Sequence, residues 1–139
     1  MGKRWEHFHH QADIGIRGIG KTPDEAFQQA ALALTAVLTN PQAIKTDEPV
    51  EIRCENPDRE NLLVDWLNAI IYEMATRNML FSRFDLKLEG AALRATAWGD
   101  RVNPTRHHPA VEVKAATHHE LVVRRTRQGD WIAQCVVDV

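Results

Sequence analysis

Leu62, Leu63, Trp66, Leu67, Ile70, Ile71 and Met74 recur at helical spacing and wrap around far more than one narrow stripe. A helix with so wide an apolar face has to be covered on more than one side. In a chain of 139 residues that cover must come from layers of the same domain. No internal repeat, low-complexity tract or linker interrupts the sequence, so residues 1–139 are read as one domain. Trp66 and Met74 are read as core rather than as the lining of a ligand pocket.

The flanking segments say what the layers are. Ile14 to Ile19 alternates as a strand, and Gly15, Gly18 and Gly20 mark bulges or close backbone packing. Its GIRGIG run lacks the spacing of a dinucleotide fingerprint. Thr22, Pro23 and Glu25 then supply an N-cap, an N1 proline and a capping box. Phe27, Ala30, Ala31, Leu34, Val37 and Leu38 follow at helical spacing, and Asn40-Pro41 ends the run. Val50, Ile52 and Cys54 alternate as a short strand before the wide-faced helix, which opens after Asn56-Pro57. Phe84, Leu86 and Leu88 pair with Leu93, Ala95 and Ala97 in a hairpin around Glu89-Gly90. Val111, Val113 and Ala115 read as another strand; Leu121 to Arg125 and a strand from Trp131 flank a turn at Gln128-Gly129. The class is α+β, with two helices packed on mainly antiparallel sheet.

Composition removes several function classes. Apolar residues are 44% and charged residues 26%, the net charge is −2 and the pI is near 6.4. No global basic field advertises nucleic-acid binding. The longest apolar stretch, Ala30 to Leu38, is broken by Thr35 and too short for a membrane span. Lys3, Arg4 and Glu6 leave no apolar signal segment after Met1, so a cytoplasmic protein is expected. Cys54 and Cys135 lie at inward strand positions and are expected as buried, reduced thiols. With Ser82 the only serine and no nucleophile elbow, nucleophilic catalysis has little footing.

Three constellations carry chemistry. Trp131, Ala133, Cys135 and Val137 share one face of the C-terminal strand, so Asp138 and the Val139 carboxylate are held as neighbouring anions. Two readings stay open: both groups face water, or a hard divalent cation relieves their repulsion, with oxygen ligands favouring Ca²⁺ or Mg²⁺. Histidines come in the pairs His9-His10, His107-His108 and His118-His119. Neighbours on a strand point to opposite faces, so the pairs supply at most three ligands to a zinc site. Lys114 follows Glu112 by two in an apolar strand; the two either pair with each other or aim together at a partner. Arg124-Arg125-Thr126-Arg127 is read as a solvated charged turn that is able to meet phosphate or an acidic face.

Five ordered blocks resemble the archease family. They are His10-Gln11-Ala12-Asp13-Ile14-Gly15-Ile16, the Thr22 to Phe27 helix start, Leu62-Leu63-Val64-Asp65-Trp66-Leu67-Asn68, Glu112-Val113-Lys114-Ala115-Ala116-Thr117-His118-His119, and Asp138-Val139. The resemblance implies a compact sandwich in which two helices lie between β-layers. It also implies a cytoplasmic protein that is not itself an enzyme but activates an RtcB-type tRNA-splicing ligase, promoting ligase guanylylation and multiple turnover. The cation site implied is Asp13, Asp138 and Val139, and Lys114 lies in the region linked to activation. With Lys114, Glu112, His119 and His10 are expected to contact the ligase. Gln11 and His118 depart from the threonine and the aromatic residue usual in the family; His107 matches a family histidine, and His108 is extra.

The expectation is therefore a protein cofactor of an RNA ligase in tRNA splicing or RNA repair, holding a divalent cation. Ca²⁺ is favoured over Mg²⁺, Mn²⁺ or Zn²⁺. No stable direct nucleic-acid contact and no membrane contact are expected. The alternatives are a metal-dependent hydrolase using the histidine pairs and a plain RNA-binding or chaperone-like module.

Overall fold

In the computed structural model, which describes residues 2–139, the chain begins with an antiparallel pair, β1 (Arg4–His10) and β2 (Asp13–Gly20). Helix α1 (Pro23–Leu38) follows, then strand β3 (Glu48–Glu55) and helix α2 (Arg59–Arg77). Next come β4 (Met79–Glu89), β5 (Ala92–Arg101), the single turn α3 (Pro104–His107), and strands β6 (Ala115–Ala116), β7 (Val122–Arg125) and β8 (Trp131–Asp138). The larger sheet runs β1-β2-β8-β6 with β7 also on β8, the smaller runs β3-β5-β4, and every pairing is antiparallel. Both helices touch both sheets, so the α+β sandwich with helices between β-layers is the observed fold.

Local chemistry explains the elements. The Thr22 hydroxyl accepts from the Glu25 N–H at 3.1 Å, and the Glu25 carboxylate accepts from the Lys21 N–H at 2.8 Å. Asp58 caps α2 by accepting from the Glu60 and Asn61 N–H groups, and Asn78, at φ 54°, ends it in the left-handed region. The wide face of α2 is buried as its spacing requires: Leu62, Leu63, Trp66, Leu67 and Ile70 are fully enclosed. Trp66 is core, and its ring N–H donates to the Phe27 carbonyl of α1 at 3.1 Å. The middle layer is pinned to the smaller sheet where Thr35 donates to the Phe81 carbonyl at 2.7 Å, beside a bulge in β4.

Gly18 explains why α1 is rich in alanine. A Cβ on Gly18 would stand 2.0 Å from the Ala26 carbonyl oxygen and 2.3 Å from the Ala30 nitrogen, so strand and helix backbones are in direct contact. Ala26, Ala30, Ala31 and Ala33 are fully buried because larger side chains would wedge these layers apart.

Two expectations are corrected. Val111, Val113 and Ala115 do not make one strand; only Ala115–Ala116 pairs, with β8. Pro109 offers no N–H, and the Ala110 N–H goes to the Leu38 carbonyl at the end of α1 instead of to a ladder. The other is β1, which sequence reading left out. Its edge is mostly polar, and it is held by specific contacts rather than apolar alternation: His7 donates to the Ala33 carbonyl at 2.8 Å, and the Phe8 ring lies over Gly15.

Cys135 is fully buried, but Cys54 only half so, and both are free thiols. Burial pushes Cys135 up to about 12, against a backbone hydrogen bond from Thr117. Burial and then the nearby Asp65 charge push Cys54 up to about 11. Iodoacetamide at pH 8 should therefore leave Cys135 unmodified until the chain unfolds, and rapid native-state labelling would contradict this packing. The folded chain keeps protons that the unfolded thiols release near pH 9.0. Stability therefore falls as pH rises from there toward the folded values.

Candidate functional site

The register of the larger sheet assembles one end of it from distant parts of the chain. His10 pairs with Asp13 across the β1–β2 turn, Ile14 with Val137, and Asp138 with Ala115. One step beyond the Ile14–Val137 pair, the same register sets Asp13 opposite Asp138. Facing residues of an antiparallel pair share a face, so His10, Asp13, Asp138 and Ala115 form a row on the outer side of the sheet, away from the helices. The turn that returns β1 to β2 needs a left-handed residue, and Gln11 takes it at φ 51°.

Asp13 and Asp138 are both half-exposed. Neither side chain takes part in a hydrogen bond or ion pair among the described residues. Two facing carboxylates without a cationic partner repel one another, and their oxygen atoms fit a hard divalent cation. Val139 follows Asp138 directly and packs its apolar side chain against the core.

Lys114 reaches the same corner through its backbone, donating to the Asp138 carbonyl at 2.9 Å. Its side chain is exposed, and no ion pair joins it to Glu112, which is exposed as well. Since 111–114 lies outside the ladder, one of the two readings, a same-face pairing of Glu112 with Lys114, does not form. Both charges stand free.

The histidine pairs do not converge. His10 and His119 approach, with ring centroids 6.2 Å apart, and the buried Nδ1 of His10 has no hydrogen-bond partner. His118 instead donates to Asn61 at 3.1 Å. His107 is fully buried beside Asp100 and Arg106; its Nδ1 accepts from the Asn103 N–H at 2.8 Å, and its carbonyl accepts from Thr39. His108 is a left-handed cap at φ 47°. No group of three or more His, Cys, Asp or Glu side chains able to hold a metal occurs among the described residues.

Asn68 is the positioning residue that sequence reading missed. From α2 its carbonyl oxygen accepts from the Ala116 N–H at 2.9 Å, and its amide donates to the Ala116 carbonyl at 3.4 Å. One side chain thereby satisfies both backbone groups of a residue in a two-residue strand, two positions from Lys114. The available signal was an amide set between Leu67 and Ala69 in an otherwise apolar stretch.

A model of the Archease protein family matches residues 5–139. The chain belongs to the archease family. It is 38% identical over 141 residues to the archease of Pyrococcus abyssi and 39% identical to that of Pyrococcus furiosus, each match covering 99% of both chains. The solution structure of protein 1598 of Methanobacterium thermoautotrophicum superposes with a TM-score of 0.85 at 30% identity, covering 97% of this chain and 98% of that one. A crystal structure from Thermotoga maritima, described as an archease and possible chaperone, shares the fold at a TM-score of 0.63 and 22% identity, covering 96% of each chain. The archease matches span the row His10–Asp13–Asp138 and Lys114 alike. No helix among the described residues is long and apolar enough to cross a membrane.

Proposed function

We propose that this archease is a non-enzymatic, divalent-cation-binding cofactor of an RtcB-type RNA ligase, acting in the cytoplasm in tRNA splicing or RNA repair. The observation that carries the proposal is the sheet end where two unpaired carboxylates, Asp13 and Asp138, face one another and the Lys114 backbone is tethered to the Asp138 carbonyl. With an oxygen of Val139 they make up the proposed donor set, suited to Ca²⁺, with Mg²⁺ or Mn²⁺ as lesser fits. The cation neutralises the corner and fixes the segment that presents Lys114. Glu112, Lys114, His119 and His10 then face the ligase. Binding favours the ligase conformation that accepts guanylate, a shift of population rather than chemistry donated by this chain.

Isothermal titration with Ca²⁺, Mg²⁺, Mn²⁺ and Zn²⁺ on the wild type and on Asp13→Ala tests the cation site. Binding should be lost in the variant, and a hundredfold excess of cation over Kd should stabilise the wild type by about 2.7 kcal/mol. Equal affinity in both would remove Asp13 from any site. Zn²⁺ binding that depends on His10 or His119, whose rings approach one another, would move weight to a metal-dependent hydrolase. Catalytic amounts of the protein should raise guanylylation and multiple-turnover ligation by the cognate ligase, and a flat titration would refute the cofactor role.

A further inference from the structure

Behind the segment that carries Glu112 and Lys114 lies an apolar pocket of about 290 Å³. Its floor is core: Leu38 at the end of α1, Met74 on α2, and Met79 at the start of β4. Its mouth is formed by Ala75, Val111 and Glu112. Val111 is 41% exposed, and Tyr72, one turn of α2 from Ala75, is 64% exposed; with Trp5 these are the large apolar residues that the described surface leaves in water. Two methionines in the floor give the pocket an adaptable shape.

Three observations define the occupant. The volume lies at the small end of the range for ligand pockets, fitting an inserted side chain better than a whole cofactor. The wall on one side is the 109–113 segment, which neither sheet holds in a ladder, so the pocket is continuous with the segment presenting Lys114. Glu112 stands at the mouth as a carboxylate with no cationic partner, in position to receive a basic group from outside.

We infer that this pocket is the anchor point for the ligase: it receives one apolar side chain of the partner, and Glu112 pairs with a basic residue beside that side chain. The inference rests on the proposed ligase-cofactor role and adds where the partner is gripped. An apolar anchor seated in a pocket whose rim excludes water is a common makeup of a binding hot spot. The anchor sets affinity, while Lys114 acts at the ligase once the complex has formed. The two duties sit on adjacent residues of one segment.

The test separates affinity from activation. Val111→Asp places a charge at the mouth, and Ala75→Trp fills it from an exposed helix position, so neither disturbs the core. Both should weaken ligase binding about tenfold or more by surface plasmon resonance, with cation affinity and melting temperature unchanged. At saturating concentration of the variant, activation should return to the wild-type level. Glu112→Gln should weaken binding less and flatten its dependence on salt. If the wild type activates the ligase but both mouth variants bind it unchanged, the pocket is not the anchor. If the mouth variants instead abolish a self-association seen by analytical ultracentrifugation, its occupant is a second copy and the inference falls. If the wild type neither binds nor activates the ligase, the cofactor role itself fails.

Discussion

Lys114→Ala should leave the melting temperature unchanged and remove stimulation of the partner ligase altogether. The amine is exposed and pairs with no carboxylate, so its loss leaves no buried charge and opens no cavity. The backbone N–H that tethers this residue to the Asp138 carbonyl survives in alanine. What disappears is one exposed cation on the segment tethered to Asp138. Binding measured alongside activation distinguishes the outcomes: unchanged affinity with no guanylylation places Lys114 at the reacting end of the complex. A large fall in melting temperature with activation retained per folded molecule would instead make Lys114 a structural residue.

Gly18→Val should be the most destabilising single change in the larger sheet. Its first added carbon already falls 2.0 Å from a backbone oxygen of α1, and no side chain can swing aside to make room. The helix must retreat, opening contacts across both layers, and a loss of about 3 kcal/mol or more is expected, enough to unfold many domains of this size. Urea denaturation followed by circular dichroism gives the value. A change under about 1 kcal/mol would mean that the layers slide easily, contrary to the packing described.

Much of this architecture was readable from the residues. The capping box at Thr22 and Glu25 and the wide apolar face of α2 are local signals, and both survive into the fold because tertiary packing agrees with them. The glycine at position 18 announced close packing, although its neighbour, α1, is fixed only by the fold. Strand β1 escaped notice because one face of it is polar and its attachment depends on His7 and Phe8 finding partners far along the chain. The 111–114 segment misled for the opposite reason. Its alternation of Val111, Glu112, Val113 and Lys114 is real, and Val113 is buried, but the alternation lines a pocket instead of joining a ladder. At the site, sequence offered Asp13, Asp138 and Lys114 as candidates, while which of them lie at one sheet end is a matter of register, which no single strand specifies. Asn68 stood out only as an amide in an apolar stretch; its positioning role did not, because its partner is backbone.

The place of β8 inside the larger sheet has a consequence for how the protein is made. β2 pairs on one side with the adjacent hairpin strand β1, and on the other with residues more than a hundred positions downstream. During synthesis the β1–β2 hairpin emerges from the ribosome long before its second neighbour exists, with one edge of β2 bare. Such distant pairing slows folding and leaves an open strand edge available to wrong partners. The sheet end bearing Asp13 and Asp138 comes into being only after that interval is over.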